Sequence, residues 1–176
     1  MSVGDEVVAL PSGLTSKVAG IHSFDGDMQT AHTPMSVTIT LADEIDISRG
    51  DMIVRTHNVP RVEREFEAAV CWMSEEPMEV GRKYMLKHTS RLLRGVVREL
   101  RYGIDIETLH RDTSKANLSL NEIGRVIIKV QQPLYCDAYG QNRSTGSFII
   151  IDERSNLTVG AGMIWKPLRK PPEVEI

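Results

Sequence analysis

Between residues 35 and 54 the chain alternates. Met35, Val37, Ile39 and Leu41 are separated by Ser36, Thr38 and Thr40, with Ala42 following. Successive side chains on a strand point to opposite faces, so a period of two predicts a strand with one face turned inward. Each apolar residue fully buried on that face contributes roughly 1.5–3 kcal/mol, enough for this strand to anchor a small barrel. Asp43, Glu44, Asp46, Ser48, Arg49, Gly50 and Asp51 then form a polar connection, pinned midway by Ile45 and Ile47. Gly50 supplies the positive φ that a tight turn requires. Met52, Ile53 and Val54 restart a strand at once.

The same reading extends along the chain. A short strand over 7–10 precedes a turn at Pro11, Ser12 and Gly13, and a second strand spans 17–24 before the Asp25-Gly26 turn. Residues 57–65 (HNVPRVERE) are polar and poor in apolar positions, which predicts a linker. Phe66, Ala68, Val70 and Trp72 resume the alternation, and further strands are predicted over 81–88, 125–130, 148–151 and 158–164. The segment 133–137 continues the 125–130 strand irregularly, and 141–146 is a turn-rich loop. Gly160 and Gly162 leave room for a neighbouring backbone or a bulge. Residues 90–102 fit two periods. Leu92, Leu93, Val96, Val97 and Leu100 fall near helical spacing, with Arg91, Arg94, Arg98 and Arg101 opposite, while Gly95 costs a helix about 1 kcal/mol relative to Ala. The pattern alone leaves helix and strand open. The tail, 166–176, contains three prolines and reads as a linker.

Composition narrows the function classes. The 176 residues carry a net charge of −3, which argues against nucleic-acid binding driven by bulk charge. Three Phe, four Tyr and two Trp leave the core mostly aliphatic. Cys71 and Cys136 lie far apart without a CxxC, which predicts two buried, reduced thiols and a cytoplasmic protein. No apolar run approaches the roughly 20 residues of a membrane span, and residues 1–10 have no signal-peptide pattern.

Three stretches carry a resemblance: GDEVVALPSG (4–13), FDGD (24–27) and LADEIDISRGDMIV (41–54). Together they resemble the second domain of elongation-factor-Tu-like GTPases, and among these the GTPase subunit of bacterial sulfate adenylyltransferase. LNEIGRV (120–126) and QNRSTGSFI (141–149) extend the likeness into a third domain. The resemblance resolves 90–102 as strand, through GVVRELRYGID (95–105). It implies an all-β chain of two tandem small β-barrels. The first, over 1–58, is truncated at its N-terminus. Residues 59–65 are the linker, 66–165 the second barrel and 166–176 the tail. It also implies a parent subunit that pairs with a separate catalytic subunit and couples GTP hydrolysis to adenylyl sulfate formation from ATP and sulfate.

A GTPase of this kind needs GxxxxGK[ST] for the phosphates and magnesium, a DxxG switch and an NKxD guanine reader. None of the three is expected in these residues. GTP and magnesium are therefore expected on an N-terminal GTPase domain outside them, and no catalytic, cofactor or metal residue is assigned within them. The acidic cluster Asp43, Glu44, Asp46 and Asp51 lacks the calcium-loop spacing and reads as a solvated turn. His22, His32, His57, His88 and His110 are dispersed and make no HxH or HExxH pair. Asn142 and Arg143 in the turn-rich loop, and Arg94 and Arg98 in the densest basic stretch, are the candidates for a partner interface. The expected partners are the catalytic subunit and the parent's own GTPase domain. No membrane contact is expected, and nucleic acid is disfavoured.

Overall fold

The computed structural model describes residues 1–167. Every regular element in it is a strand, and the chain divides into two units at Val59/Pro60.

The first unit contains β1 (Glu6–Leu10), β2 (Thr15–Ser23), β3 (Gly26–Met28), β4 (Thr38–Leu41) and β5 (Met52–Arg55). β1 pairs antiparallel with β2 and β5, and β2 also pairs with β3 and β4. The sheet does not close on itself among the described residues, so this unit is an open, partial barrel. The strand expected to anchor it is peripheral. Only residues 38–41 of the alternating stretch are strand, Ile39 and Leu41 are half-buried, and Met35 is exposed. β4 has one paired neighbour, so one of its edges is unpaired, and Ile39 and Leu41 pack at the fringe of the core. The anchor is β2, which pairs with three strands and buries Val18 and Ile21. Those two residues are three apart. A register shift between Val18 and Gly20 leaves Ala19 as an extra residue and returns Ile21 to the inner face.

The second unit contains β6 (Arg61–Trp72), β7 (Lys83–His88), β8 (Arg91–Ile104), β9 (Arg111–Asp112), β10 (Ile123–Cys136), β11 (Ser147–Ile151) and β12 (Thr158–Pro167). Six of them form a ring in the order β10-β6-β12-β11-β7-β8, which β8 closes by pairing back onto β10. β9 pairs with the far end of β8. Aromatic residues are few but concentrated inside this ring. Phe66 meets Phe148 and Trp72 meets Tyr84 edge-to-face, each pair with centroids 5.6 Å apart. The expectation of a mostly aliphatic core holds here, since these four aromatic residues sit among a larger set of Val, Leu, Ile and Ala side chains.

β8 explains its own ambiguous periodicity. Its cross-strand partners run Val97–Ile128, then Glu99–Ile127, leaving Arg98 as an extra residue. They run Leu100–Val126, then Tyr102–Arg125, leaving Arg101 extra as well. Leu93, Gly95 and Val97 keep a regular period of two, with a glycine at the middle inward position. The bulge at Arg98 sets Leu100 three residues further on, so the apolar side chains of Leu93, Val97 and Leu100 face the core at helix-like intervals of four and three.

Two expected boundaries shift. β6 starts at Arg61, so most of the predicted linker 59–65 is strand. Residues 61–63 pair with the end of β10 beyond a register shift, where no side chain of β6 is buried. A ladder made by backbone alone needs no apolar pattern, which is why the segment read as polar linker. Of the predicted tail, residues 166 and 167 belong to β12 and the remainder lies outside the described residues.

Gly162 is where the barrel tolerates no side chain. A Cβ there would lie 2.2 Å from Phe148 Cζ, so the missing side chain admits the phenyl ring. Gly162→Ala is expected to cost about 1–3 kcal/mol through overpacking. Urea unfolding measures the cost, and Phe148→Leu in the same chain should recover part of it.

Candidate functional site

One outer face of the second barrel is built by cross-strand neighbours. Ser147, Met163, Ala69, Arg125 and Tyr102 are successive partners across β11, β12, β6, β10 and β8. The next outward row runs Ile149, Ala161, Cys71, Ile123 and Ile104. Ala69, Ala161 and Cys71 are small, so the centre of this face is a trough. A groove of about 530 Å³ lies over them, walled by Tyr139, Arg143 and Met163. This corrects one expectation: Cys71 is half-buried on the trough floor, because its position on β6 points outward. Cys136 is buried as expected, and burial pushes its thiol up to about 12.

The loop over this trough is held tightly. His88 is 1% exposed, and its Nε2 lies 2.7 Å from the Thr145 carbonyl, to which it donates as the Nε2–H tautomer. The Thr145 hydroxyl donates to Asp137 at 2.8 Å. Tyr139 N–H donates to Ile164 O, and Ile164 N–H to Gly146 O, which ties both ends of the loop to β12. A Cβ at Gly146 would lie 2.4 Å from Tyr139 Cα, so only glycine lets the two backbones approach. Asn142 Oδ1 accepts from Ser144 N–H, a turn-forming role. The Arg143 guanidinium lies over the Tyr139 ring at 5.9 Å and borders the trough. Of this candidate pair, Arg143 has its side chain on the surface groove, while Asn142 shapes the loop.

Arg94 and Arg98 lie elsewhere. Arg94, Lys83, Lys129 and Glu153 border a groove of about 460 Å³ that shares no lining residue with the trough. Arg94 Nε donates to Glu153 at 3.0 Å. Arg98 is exposed at its bulge, with no hydrogen bond or ion pair among the described residues. Arg91 is used structurally, donating to the Pro133 carbonyl and lying over Tyr135. The structure therefore separates the four candidates into two places.

A group missed at the sequence level sits at the trough's end. Arg125 is 8% exposed, with its Nε 3.7 Å from Glu67 Oε1 and 3.4 Å from the Tyr102 hydroxyl. Arg101, re-aimed by its bulge, reaches Glu67 Oε2 at 3.5 Å. The Trp165 ring covers the Arg125 guanidinium at 4.3 Å and is itself 61% exposed. Arg125 Nη1 and Glu67 Oε2 are buried without a hydrogen-bond partner. No spacing announces this cluster, because its members come from four strands. Only the outward register of Arg125, between inward Gly124 and Val126, pointed to it.

The remaining candidates have local roles. Asp43 accepts from the Ser16 hydroxyl, and Asp51 caps Ser48 N–H. No group of three His, Cys, Asp or Glu side chains converges among the described residues. One expectation is corrected: the DxxG spacing does occur once, as Asp137-Ala138-Tyr139-Gly140. Here it forms the barrel loop, with Asp137 bound to Thr145 and no phosphate-binding turn before it. Among the described residues no helix is long and apolar enough to cross a membrane.

A family model described as GTP-eEF1A C-terminal domain-like matches residues 65–165, the second barrel. The chain belongs to this family. Its relatives agree with the resemblance carried by the quoted stretches. It is 52% identical over 165 residues to the bifunctional enzyme CysN/CysC of Mycobacterium tuberculosis (strain CDC 1551 / Oshkosh), covering 93% of this chain and 27% of that protein. It is 50% identical over 161 residues to sulfate adenylyltransferase subunit 1 of Alteromonas mediterranea, covering 92% and 34%. The corresponding subunit of Shewanella woodyi is 49% identical, with 94% and 35% covered. The chain thus spans 27% to 35% of the length of these relatives. A crystal structure of sup35 complexed with GDP superposes with a TM-score of 0.87 at 15% identity, over 96% of this chain and 42% of that one, a likeness of fold.

Two outcomes follow from the site. Burial, opposed by the Thr145 carbonyl, lowers the His88 pKa below its ordinary value. The unfolded chain then binds the extra proton more readily. His88 therefore favours folding fully at pH values above the unfolded pKa of about 6.5, and this contribution is lost as pH falls from there toward the folded pKa. Thermal melts of the wild type should lose stability between pH 7.5 and pH 5, and His88→Gln should flatten that slope. Glu67→Ala leaves Arg125 buried beside no carboxylate and is expected to cost about 3 kcal/mol. Adding Arg125→Met should restore part of it in a double-mutant cycle.

Proposed function

We propose that this chain is the non-catalytic barrel region of the GTP-dependent large subunit of sulfate adenylyltransferase. The observation that carries the reading is about 50% identity, over more than nine-tenths of the chain, to proteins of that name. In such an enzyme, adenylyl transfer from ATP to sulfate runs uphill and GTP hydrolysis drives it. GTP and magnesium bind outside these residues, on a GTPase domain, and the chemistry of adenylyl transfer belongs to a separate catalytic subunit in the cytoplasm.

The barrel's contribution is then mechanical. A nucleotide-dependent change reaches a partner only through elements that hold their shape while their contacts differ between two states. A closed ring of paired strands has no free edge to fray, and its loop over the trough is pinned at both ends. The outer face offers Tyr139, Arg143, Met163 and Trp165, the residue types that dominate protein interfaces.

A barrel that binds aminoacyl-tRNA is the second reading, favoured by the Lys83, Arg94 and Lys129 groove. Calorimetry separates the two. The purified chain should bind the catalytic subunit of sulfate adenylyltransferase and show no GTP turnover. Binding to tRNA that weakens steeply with salt, without binding to that subunit, would support the second reading instead.

A further inference from the structure

Beside the trough lies a second groove, of about 380 Å³, whose lining includes Ala69, Tyr139, Met163, Ile164, Trp165 and Arg125. Most of these walls are apolar. The exception is Arg125, more than nine-tenths buried, whose Nη1 has no hydrogen-bond partner among the described residues. A guanidinium presents five donors in a planar fork and is satisfied best by a carboxylate placed in its plane. Glu67 does not fill that role. Its Oε1 approaches Nε only to 3.7 Å, and its Oε2 faces Arg101. Nor does local charge forbid a second carboxylate. Arg101 and Arg125 are joined by Arg111, stacked on Tyr102 at 4.9 Å, against Glu67 and Glu99.

We propose that this groove receives a carboxylate side chain from a protein partner, with Arg125 Nη1 as donor and Trp165 as the cover that shifts to admit it. The geometry selects this occupant. A free polyanion or an RNA phosphate needs several convergent cations, and this groove has one among its lining. A single guanidinium set in apolar walls matches an Asp or Glu flanked by aliphatic residues, which rest on Met163 and Ala69. Trp165 is joined to the groove by its contact with the guanidinium face and not by packing in the core, so it can swing away without disturbing the barrel. Assigning that carboxylate to the catalytic subunit deepens the reading given under Proposed function and rests on it. The carboxylate-accepting groove does not.

The test uses two probes on the purified chain. The first is a capped peptide, acetyl-Leu-Glu-Leu-amide, with its Gln isostere and oligouridylate as comparators. The second is the catalytic subunit. The Trp165 indole N–H, resolved in NMR spectra from that of Trp72, which is held by the Glu76 carbonyl at 2.7 Å, reports occupancy. The Glu peptide should shift the Trp165 signal saturably, and the Gln peptide and oligouridylate should not. Arg125→Met and Trp165→Ala should weaken binding of the catalytic subunit at least tenfold, Arg125→Lys by less, and Leu92→Ala, exposed on β8 and lining neither the trough nor this groove, by under twofold. Arg125→Lys retains charge and length and guards against a folding defect in Arg125→Met. A Glu-peptide response with no binding of the catalytic subunit keeps the groove and refutes the partner. Equal binding of the catalytic subunit by wild type, Arg125→Lys and Trp165→Ala, with no Glu-peptide response, refutes the groove and keeps the partner. Preference for oligouridylate overturns the assignment to a protein carboxylate.

Discussion

The pairing of β8 with β10 closes the second barrel, and the rest of that unit depends on it. Without this ladder the six strands would be an open sheet with two free edges, each a row of unsatisfied backbone donors and acceptors. With it, inward and outward positions are fixed on every strand, because a slip of one residue would turn each side chain to the opposite face. The aromatic pairs Phe66–Phe148 and Trp72–Tyr84 then meet at the centre. The outward rows that contain Ala69, Cys71, Met163 and Arg125 are set by the same registers.

Closure is imperfect, and the imperfections are placed where side chains are redirected. The two bulges of β8 put Arg98 and Arg101 out of the alternation, and the second brings Arg101 to Glu67. In a regular strand Arg101 would follow inward Leu100 as the residue directly opposite Arg125; the bulge gives that place to Tyr102. The bulges thus accommodate the curvature of the ring and supply part of the charge balance around Arg125. The first unit shows the contrast. Its sheet stays open among the described residues, and its inner face is covered by Val7, Val18 and Ile21 with a fringe of half-buried residues.

The sequence revealed strands where a period of two ran through a covered element, as at Phe66–Trp72, and where an apolar run was bounded by turns, as in the residues of β11. It misled where backbone geometry broke the period. Residues 91–104 looked helical because Gly95 occupies the inward position between Leu93 and Val97, and a bulge then spaces Val97 and Leu100 by three. Residues 61–65 looked like linker because their ladder lies beyond the core. The stretch 35–42 looked central because alternation reports a potential inner face, not how many neighbours cover it. Of the candidate residues, Arg143 lies on a groove at the trough, Asn142 serves the loop, Arg94 borders a different groove, and Arg98 is exposed at its bulge. Arg125, Glu67 and Trp165 were illegible because only tertiary register brings them together.

Hydrogen–deuterium exchange tests the dependence on closure most directly. If the β8–β10 ladder holds the ring, its amides and those of β6, β11 and β12 should exchange together, only through global unfolding, and with the same denaturant dependence. Amides of β4 and β5 in the open first unit should exchange faster. Exchange of the β8–β10 amides through a separate, low-energy opening that leaves β6 and β12 protected would contradict the account.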